Sequence, residues 1–379
     1  MYRRFAGVLA AAGAVVCFAA PAAMSASHMQ VGFLDDSSTL YGNPDVTFPI
    51  FQKLRAQVVR VDLYWGGAKY AVAKRRPTDA KDPDDPAYDW ALYDRTVNYA
   101  AQYEIKLLFT LWATPRWANG GKAYRYAPKN FKDLQNFAYA AAQRYSGTWI
   151  AADGRPLPAV RLWTAWNEPN QPFQLSPQYR KVRGKYVMQS AIDYAKICTA
   201  IYTGVHATLL KGEKVGCGVT APQGNDNPAG KRPVPTPISF MRAAKKAGLK
   251  KFDAWAHNPY ATTPRDTPST KPHSRGAVTL GNLDVLTKEL RKLWGPKRLW
   301  LTEYGYQTNP PDKTFGVSYS KQALYLKQAY AIARKNPIVD MMLWFQLKDE
   351  PVLAGWQSGV MTTRGKKKPS YTVFMRLPH

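Results

Sequence analysis

Short runs of apolar and β-branched residues recur along the chain, and longer segments between them repeat their apolar positions at about 3.6 residues. Eight runs read as strands: Gln30–Leu34, Val58–Tyr64, Lys106–Trp112, Val160–Trp166, Val215–Thr220, Phe252–His257, Arg298–Thr302 and Val339–Gln346. Between them, Leu283, Leu286, Leu290, Leu293 and Trp294 share one helical face. Trp90, Tyr93, Val97 and Ala101 share another, behind a candidate cap at Asp89. Strands that alternate with helices predict βαβ units and a parallel sheet. Eight repeats without a glycine-rich phosphate-binding turn favour a closed barrel over an open, doubly wound sheet. The expected fold is therefore α/β, a single (β/α)8 TIM barrel.

The connections are unequal. Those that follow strands are long and rich in Pro, Gly, Ser and Thr, as in 222–237 and 261–281, whereas 247–251 leads into a strand in a few residues. Long loops at the C-terminal ends of the strands build the active site of such a barrel, and the opposite face serves stability. The 379 residues, 45% hydrophobic, suffice for one large core, and no linker or repeat marks a second domain. Aromatics at 13% fill that core or line a groove.

The first 26 residues read as an export signal: Arg3 and Arg4, then the apolar run 5–20, then small residues over 21–27. The mature domain is expected over 27–379, secreted or associated with the cell envelope, with no stable membrane span after cleavage. Cys17 leaves with the signal, so Cys198 and Cys217 remain, either paired or as two buried thiols. The five His are scattered and no CxxC occurs, so no metal or other cofactor is expected. A formal charge of +27 suits an anionic polymer or membrane, or is simply a solvated lysine-rich surface. No zinc finger, RNA-recognition signature or basic arm interleaved with aromatics is present, which argues against nucleic acid.

Two carboxylates stand at strand ends. Glu168 closes the fourth strand in Trp166-Asn167-Glu168-Pro169-Asn170, and Glu303 closes the seventh in Leu301-Thr302-Glu303-Tyr304-Gly305. Either alone reads equally as a loop residue or helix cap. Together, at strands that face each other across a barrel mouth, they form the pair that glycoside hydrolysis needs, one protonated near neutrality and the other ionised.

These two segments resemble the signature of the large clan of retaining glycosidases, with Asn-Glu on strand four and a nucleophilic Glu on strand seven. The resemblance spans the mature chain and is greatest to glycoside hydrolase family 39, with cellulase-like family 5 next. Several family 5 members carry His on the third strand, where this chain has Leu111-Trp112. The resemblance implies Glu168 as general acid/base, Glu303 as nucleophile and Asn167 on the sugar 2-hydroxyl. It further implies Arg60 steadying the nucleophile, His257 and Tyr260 beside it, Trp344 as the floor of a sugar subsite, and Trp112 as a second wall. The implied substrate is a carbohydrate, with an anionic or envelope-associated polysaccharide as one option. The basic stretch Arg180, Lys181, Arg183 and Lys185, expected to overhang the cleft, is either an attractor for such a polymer or a solvated loop. Transglycosylation and non-catalytic binding of a carbohydrate or envelope polymer are the alternative readings. GxSxG, HExxH and a P-loop are all absent.

Overall fold

The structure, a computed structural model, describes residues 28–67, 69–208 and 210–378. The export signal expected over residues 1–26 lies outside the described residues. Eight parallel strands close into a barrel: β1 (Gln30–Leu34), β2 (Val58–Tyr64), β3 (Lys106–Trp112), β4 (Leu162–Ala165), β5 (Lys214–Thr220), β6 (Ala254–His257), β7 (Arg298–Tyr304) and β8 (Val339–Phe345). Closure is made by β1, which pairs Leu34 with Arg60 of β2 on one side and with Phe345 of β8 on the other. Helices pack outside, among them Ala91–Gln102, Phe131–Arg144, Leu283–Trp294 and Tyr319–Arg334. The helix expected behind Asp89 begins at Ala91 with Trp90 in the cap position and no side-chain cap, because Asp89 lies one residue too early.

Strands four and six are shorter than their apolar runs. Val160 is taken by Tyr145, whose carbonyl accepts its N–H, and Trp166, whose N–H still donates to the Leu111 carbonyl, turns the chain out of the strand with φ of +66°. Phe252 packs on Trp294 instead of pairing in the sheet. Strand seven runs two residues further than its apolar pattern and carries Glu303 within it.

Alternation along each strand sorts the barrel interior into layers. Val58, Leu108, Val219, Ala254, Ala256, Trp300, Met341 and Leu343 form an apolar plug. Gly216 makes room for it: a Cβ there would stand 2.7 Å from the Trp300 ring. Above the plug comes a polar layer of Arg60, Thr110, Thr164 and Thr302, all buried. Above that lies the cleft.

Cys198, on the helix Gln189–Val205, is disulfide-bonded to Cys217 of β5, so the paired alternative holds. The bridge closes a chain separation of 19 residues. Replacing both cysteines by alanine should lower stability by about 3 kcal/mol through regained unfolded-state entropy, read as a lower melting temperature. The basic stretch forms a hairpin of Arg180–Val182 and Lys185–Val187, and none of its four cations lines the cleft. Among the described residues no helix is long and apolar enough to cross a membrane.

Candidate active site

A cleft of about 590 Å³ opens over the C-terminal ends of the strands, and Arg60, Trp112, Asn167, Glu168, Tyr260 and Glu303 all line it. Two local irregularities aim the carboxylates. Glu303 has the wrong parity to face inward, since Trp300 and Thr302 already do. Between Leu301 and Tyr304, however, β7 carries an extra residue relative to β8, and this bulge turns Glu303 over the mouth. Glu168 follows a strained turn in which Trp166 and Glu168 adopt φ of +66° and +37°, conformations that cost roughly 1–3 kcal/mol each. The turn is held by Glu168 N–H to the Val219 carbonyl at 2.9 Å and by the Asn170 amide, which bridges the backbone of Ala221 and Pro235.

One side chain joins the two acids. Asn258 Nδ2 donates to Glu168 Oε1 at 3.1 Å and to Glu303 Oε2 at 3.2 Å, while Thr302 Oγ1 donates to its Oδ1 at 2.9 Å. Because one nitrogen lies within hydrogen-bond distance of both, the two oxygens stand no more than about 6.3 Å from each other. Glu303 accepts two further bonds, from Tyr260 OH at 2.8 Å and Arg60 Nη1 at 3.4 Å. Arg60 is fully buried and also donates to Thr110 Oγ1 at 2.8 Å, the Thr302 carbonyl at 3.3 Å and Asn167 Oδ1 at 2.8 Å. Because a guanidinium only donates, Asn167 must turn its oxygen toward Arg60, which leaves its NH2 for a ligand.

Burial pushes both carboxyls up. For Glu303 the charge of Glu168 comes next, and together they raise it to about 8, against the pull of Arg60 and Tyr260. For Glu168 only Asn258 and the more distant Arg60 pull it down. The elevation belongs to the pair, which retains one proton to a higher pH than either acid alone would. Glu303 receives three donors and Glu168 one, so the proton resides on Glu168 and the charge on Glu303.

Tyr260→Phe removes one of those donors. The acid limb of the pH–activity profile should then move up by about one pH unit, since the lost bond had favoured ionised Glu303.

Two expected site residues lie elsewhere. On β6, Ala254 and Ala256 face inward, so His257 faces out. Its Nδ1 meets Thr220 Oγ1 at 2.8 Å, its Nε2 meets the Val278 carbonyl at 3.0 Å, and burial lowers its pKa to about 4. It is a neutral core histidine, and Asn258, the next residue, takes the inward position. On β8, Met341 and Leu343 face inward, so Trp344 faces out. It is fully buried, donates to the Ser358 carbonyl at 2.9 Å and does not line the cleft. Phe345 lines the cleft in its place, and Trp112, of inward parity on β3, stands as expected. Asn258, Phe345 and the acids Asp36 and Asp62 escaped the sequence reading. The alternation of β6 was the available signal for Asn258.

No family model matches the chain, and no curated protein matches it. Solved structures do. A family 39 glycoside hydrolase from the gut symbiont Bacteroides cellulosilyticus WH2 superposes with a TM-score of 0.63 at 17% identity, over 92% of this chain and 63% of that one. The fold is that of the glycoside hydrolase barrels. A glucosidase from Croceicoccus marinus matches with TM-score 0.63 and 14% identity, over 93% of this chain and 67% of its own. Fungal β-1,4-galactanase matches with TM-score 0.59 and 14% identity, over 92% and 99%. The chain thus spans less than two thirds of the family 39 protein and nearly all of the galactanase.

Proposed function

We propose that the chain is a secreted, retaining glycosidase that cleaves β-linked O-glycosides, with Glu168 as acid/base and Glu303 as nucleophile. The observation that carries this reading is the amide of Asn258 shared between the two acids. Retention calls for carboxyls about 5–5.5 Å apart and inversion for about 6.5–9.5 Å, which leaves room for a water. The spacing about one amide fits the former.

In the first step a lone pair of Glu303 attacks the anomeric carbon and the bond to the leaving oxygen breaks. Glu168 delivers its proton to that oxygen. Loss of the proton leaves Glu168 ionised while Glu303 is neutral in its ester, so the two charges never coexist. In the second step Glu168 takes a proton from water, whose oxygen bonds to the anomeric carbon, and Glu303 leaves as carboxylate. Arg60 and Tyr260 hold Glu303 in place for both steps. Asn167, oriented by Arg60, donates to the 2-hydroxyl, a bond that strengthens in the transition state. The β preference draws support from the family resemblance and from the names of the neighbours, among them a β-xylosidase and β-1,4-galactanases. Export draws support from the leader pattern and from the disulfide, which persists in oxidising compartments.

The test is turnover of a panel of aryl β-glycosides and polysaccharides by the wild type, Glu168→Gln and Glu303→Gln. Cleavage of one member that Glu303→Gln abolishes, and that Glu168→Gln abolishes where the leaving group is poor, supports the assignment. Equal binding of a polymer by all three proteins, with no cleavage, favours the binding-barrel alternative.

A further inference from the structure

The cleft reverses the charge of the molecule. The chain carries +27, yet among the described residues those that line the cleft bring five carboxylates, Asp36, Asp62, Glu168, Glu303 and Glu350, against one cation, Arg60. Glu168 and Glu303 have a role in the chemistry above; Asp36 and Asp62 do not. They sit side by side because β1 and β2 pair in register, and Asp62 N–H donates to Asp36 Oδ1 at 3.1 Å. Tyr64 OH donates to Asp36 Oδ2 at 3.3 Å. Asp62 Oδ1 is buried without a hydrogen-bond partner, and Arg60 Nη2, already bonded to Asn167, stands 3.6 Å from it.

A third acceptor lines the same cleft. Gln346 follows Phe345, the register partner of Leu34, at the closure of β8 on β1. It is 3% exposed, and its Nε2 donates to Glu350 Oε1 at 3.0 Å. That bond fixes the amide orientation and leaves Oε1 buried and unpartnered on a residue that lines the cleft. This corner is therefore rich in acceptors. A sugar hydroxyl both donates and accepts, whereas an ammonium donates three bonds, accepts none and carries the opposite charge. Burial first, then the charge of Asp62, pushes the Asp36 carboxyl well above its usual range, a penalty that a cation beside the pair relieves. Tyr64 and Trp112 add aromatic faces to the same wall. A purely structural role for Asp36, in the first turn of the short helix Asp36–Thr39, accounts neither for Asp62 nor for Gln346. A uronate or phosphate would meet like charge here.

We propose that this corner is an ammonium subsite, so that the substrate is an oligo- or polysaccharide containing an amino sugar with a free amine, held by Asp36, Asp62 and Gln346. The inference rests on the glycosidase reading for its enzymatic consequence but not for the binding itself. The experiment compares aryl β-glycosides of glucosamine and galactosamine with those of glucose, galactose and N-acetylglucosamine, at about pH 6, where an alkylammonium stays charged. Calorimetry with a glucosamine tetramer and its N-acetylated counterpart runs alongside. Wild type, Asp62→Asn and Asp36→Asn are each checked for an unchanged melting transition, so that one variant serves if the other misfolds.

The expected result is a kcat/KM at least tenfold higher for a free-amine glycoside than for its hydroxyl counterpart, with that ratio falling at least tenfold in either variant. Turnover without an amine preference, or a preference indifferent to both substitutions, overturns the subsite and leaves the glycosidase reading intact. No turnover, combined with tighter binding of the amine tetramer that the variants lose, keeps the subsite and removes the glycosidase reading. Neither turnover nor amine-selective binding overturns both.

Discussion

Glu303→Gln should abolish turnover, with kcat/KM falling by roughly five orders of magnitude, because the amide can neither attack nor leave. Glu168→Gln should cost as much on substrates with poor leaving groups and far less on activated aryl glycosides, whose departure needs no proton. Glycosyl azide formation separates the two roles. With Glu303→Ala, azide occupies the emptied nucleophile position and should give a product of inverted configuration. With Glu168→Ala, it attacks the covalent intermediate and should give a retained one. The opposite assignment would exchange these products.

The same substitution should stabilise the fold. Burial and mutual repulsion let the Glu168–Glu303 pair keep its one proton up to about pH 8, against about 4.3 for a free glutamate, so the native state binds that proton more tightly than the unfolded chain. The sign follows from linkage: stability is retained below the unfolded pKa and lost as pH rises through the folded one. Glu303→Gln carries no such penalty. Its melting temperature should match that of the wild type in acid and exceed it by a few degrees above neutrality, the gap opening between those two values.

Arg60→Met should have the second largest effect, on both activity and stability. Arg60 is fully buried and ties together Thr110, the Thr302 carbonyl, Glu303 and Asn167. Methionine fills much of the space and leaves those acceptors unpaired around a buried carboxylate, an outcome that costs roughly 3–5 kcal/mol for broken buried ion pairs. Asn167 loses the donor that fixes its orientation, and Glu303 loses the cation paired with it. A fall in kcat/KM of roughly 10²–10³-fold is expected, comparable to removing a preorganised donor from a transition-state site. The acid limb of the pH profile should move up as well, which a merely structural role would not produce. Arg60→Lys should recover little, because one ammonium cannot span Thr110, Thr302 and Asn167 at once.

The barrel was legible because each strand is an apolar run and each long loop follows one. What the runs could not convey was which face each residue occupies. In a parallel barrel both faces of a strand are buried, one by the plug and one by the helices, so the alternation of polar and apolar residues that marks the face is weak. His257 and Trp344 were lost to that ambiguity, each one residue from the position that lines the cleft. Glu303 escaped it only because its bulge shifts the parity, a feature with no sequence mark. Asp36 and Asp62 come together through the pairing of β1 with β2, and Gln346 reaches the same cleft through closure of the first strand on the last, pairings that no local pattern records. Glu168, Asn167 and Tyr260 were legible because they follow the ends of their strands, and Arg60 because a charged residue stands out inside an apolar strand.

The most direct test of double displacement is the anomeric configuration of the first sugar released, followed by proton NMR during hydrolysis before mutarotation mixes the anomers. A β-glycoside that first yields the β-hemiacetal bears out a covalent step at Glu303 and the carboxyl spacing set by Asn258. First appearance of the α-anomer contradicts both, since it would require a water between the two acids where the structure brings them together.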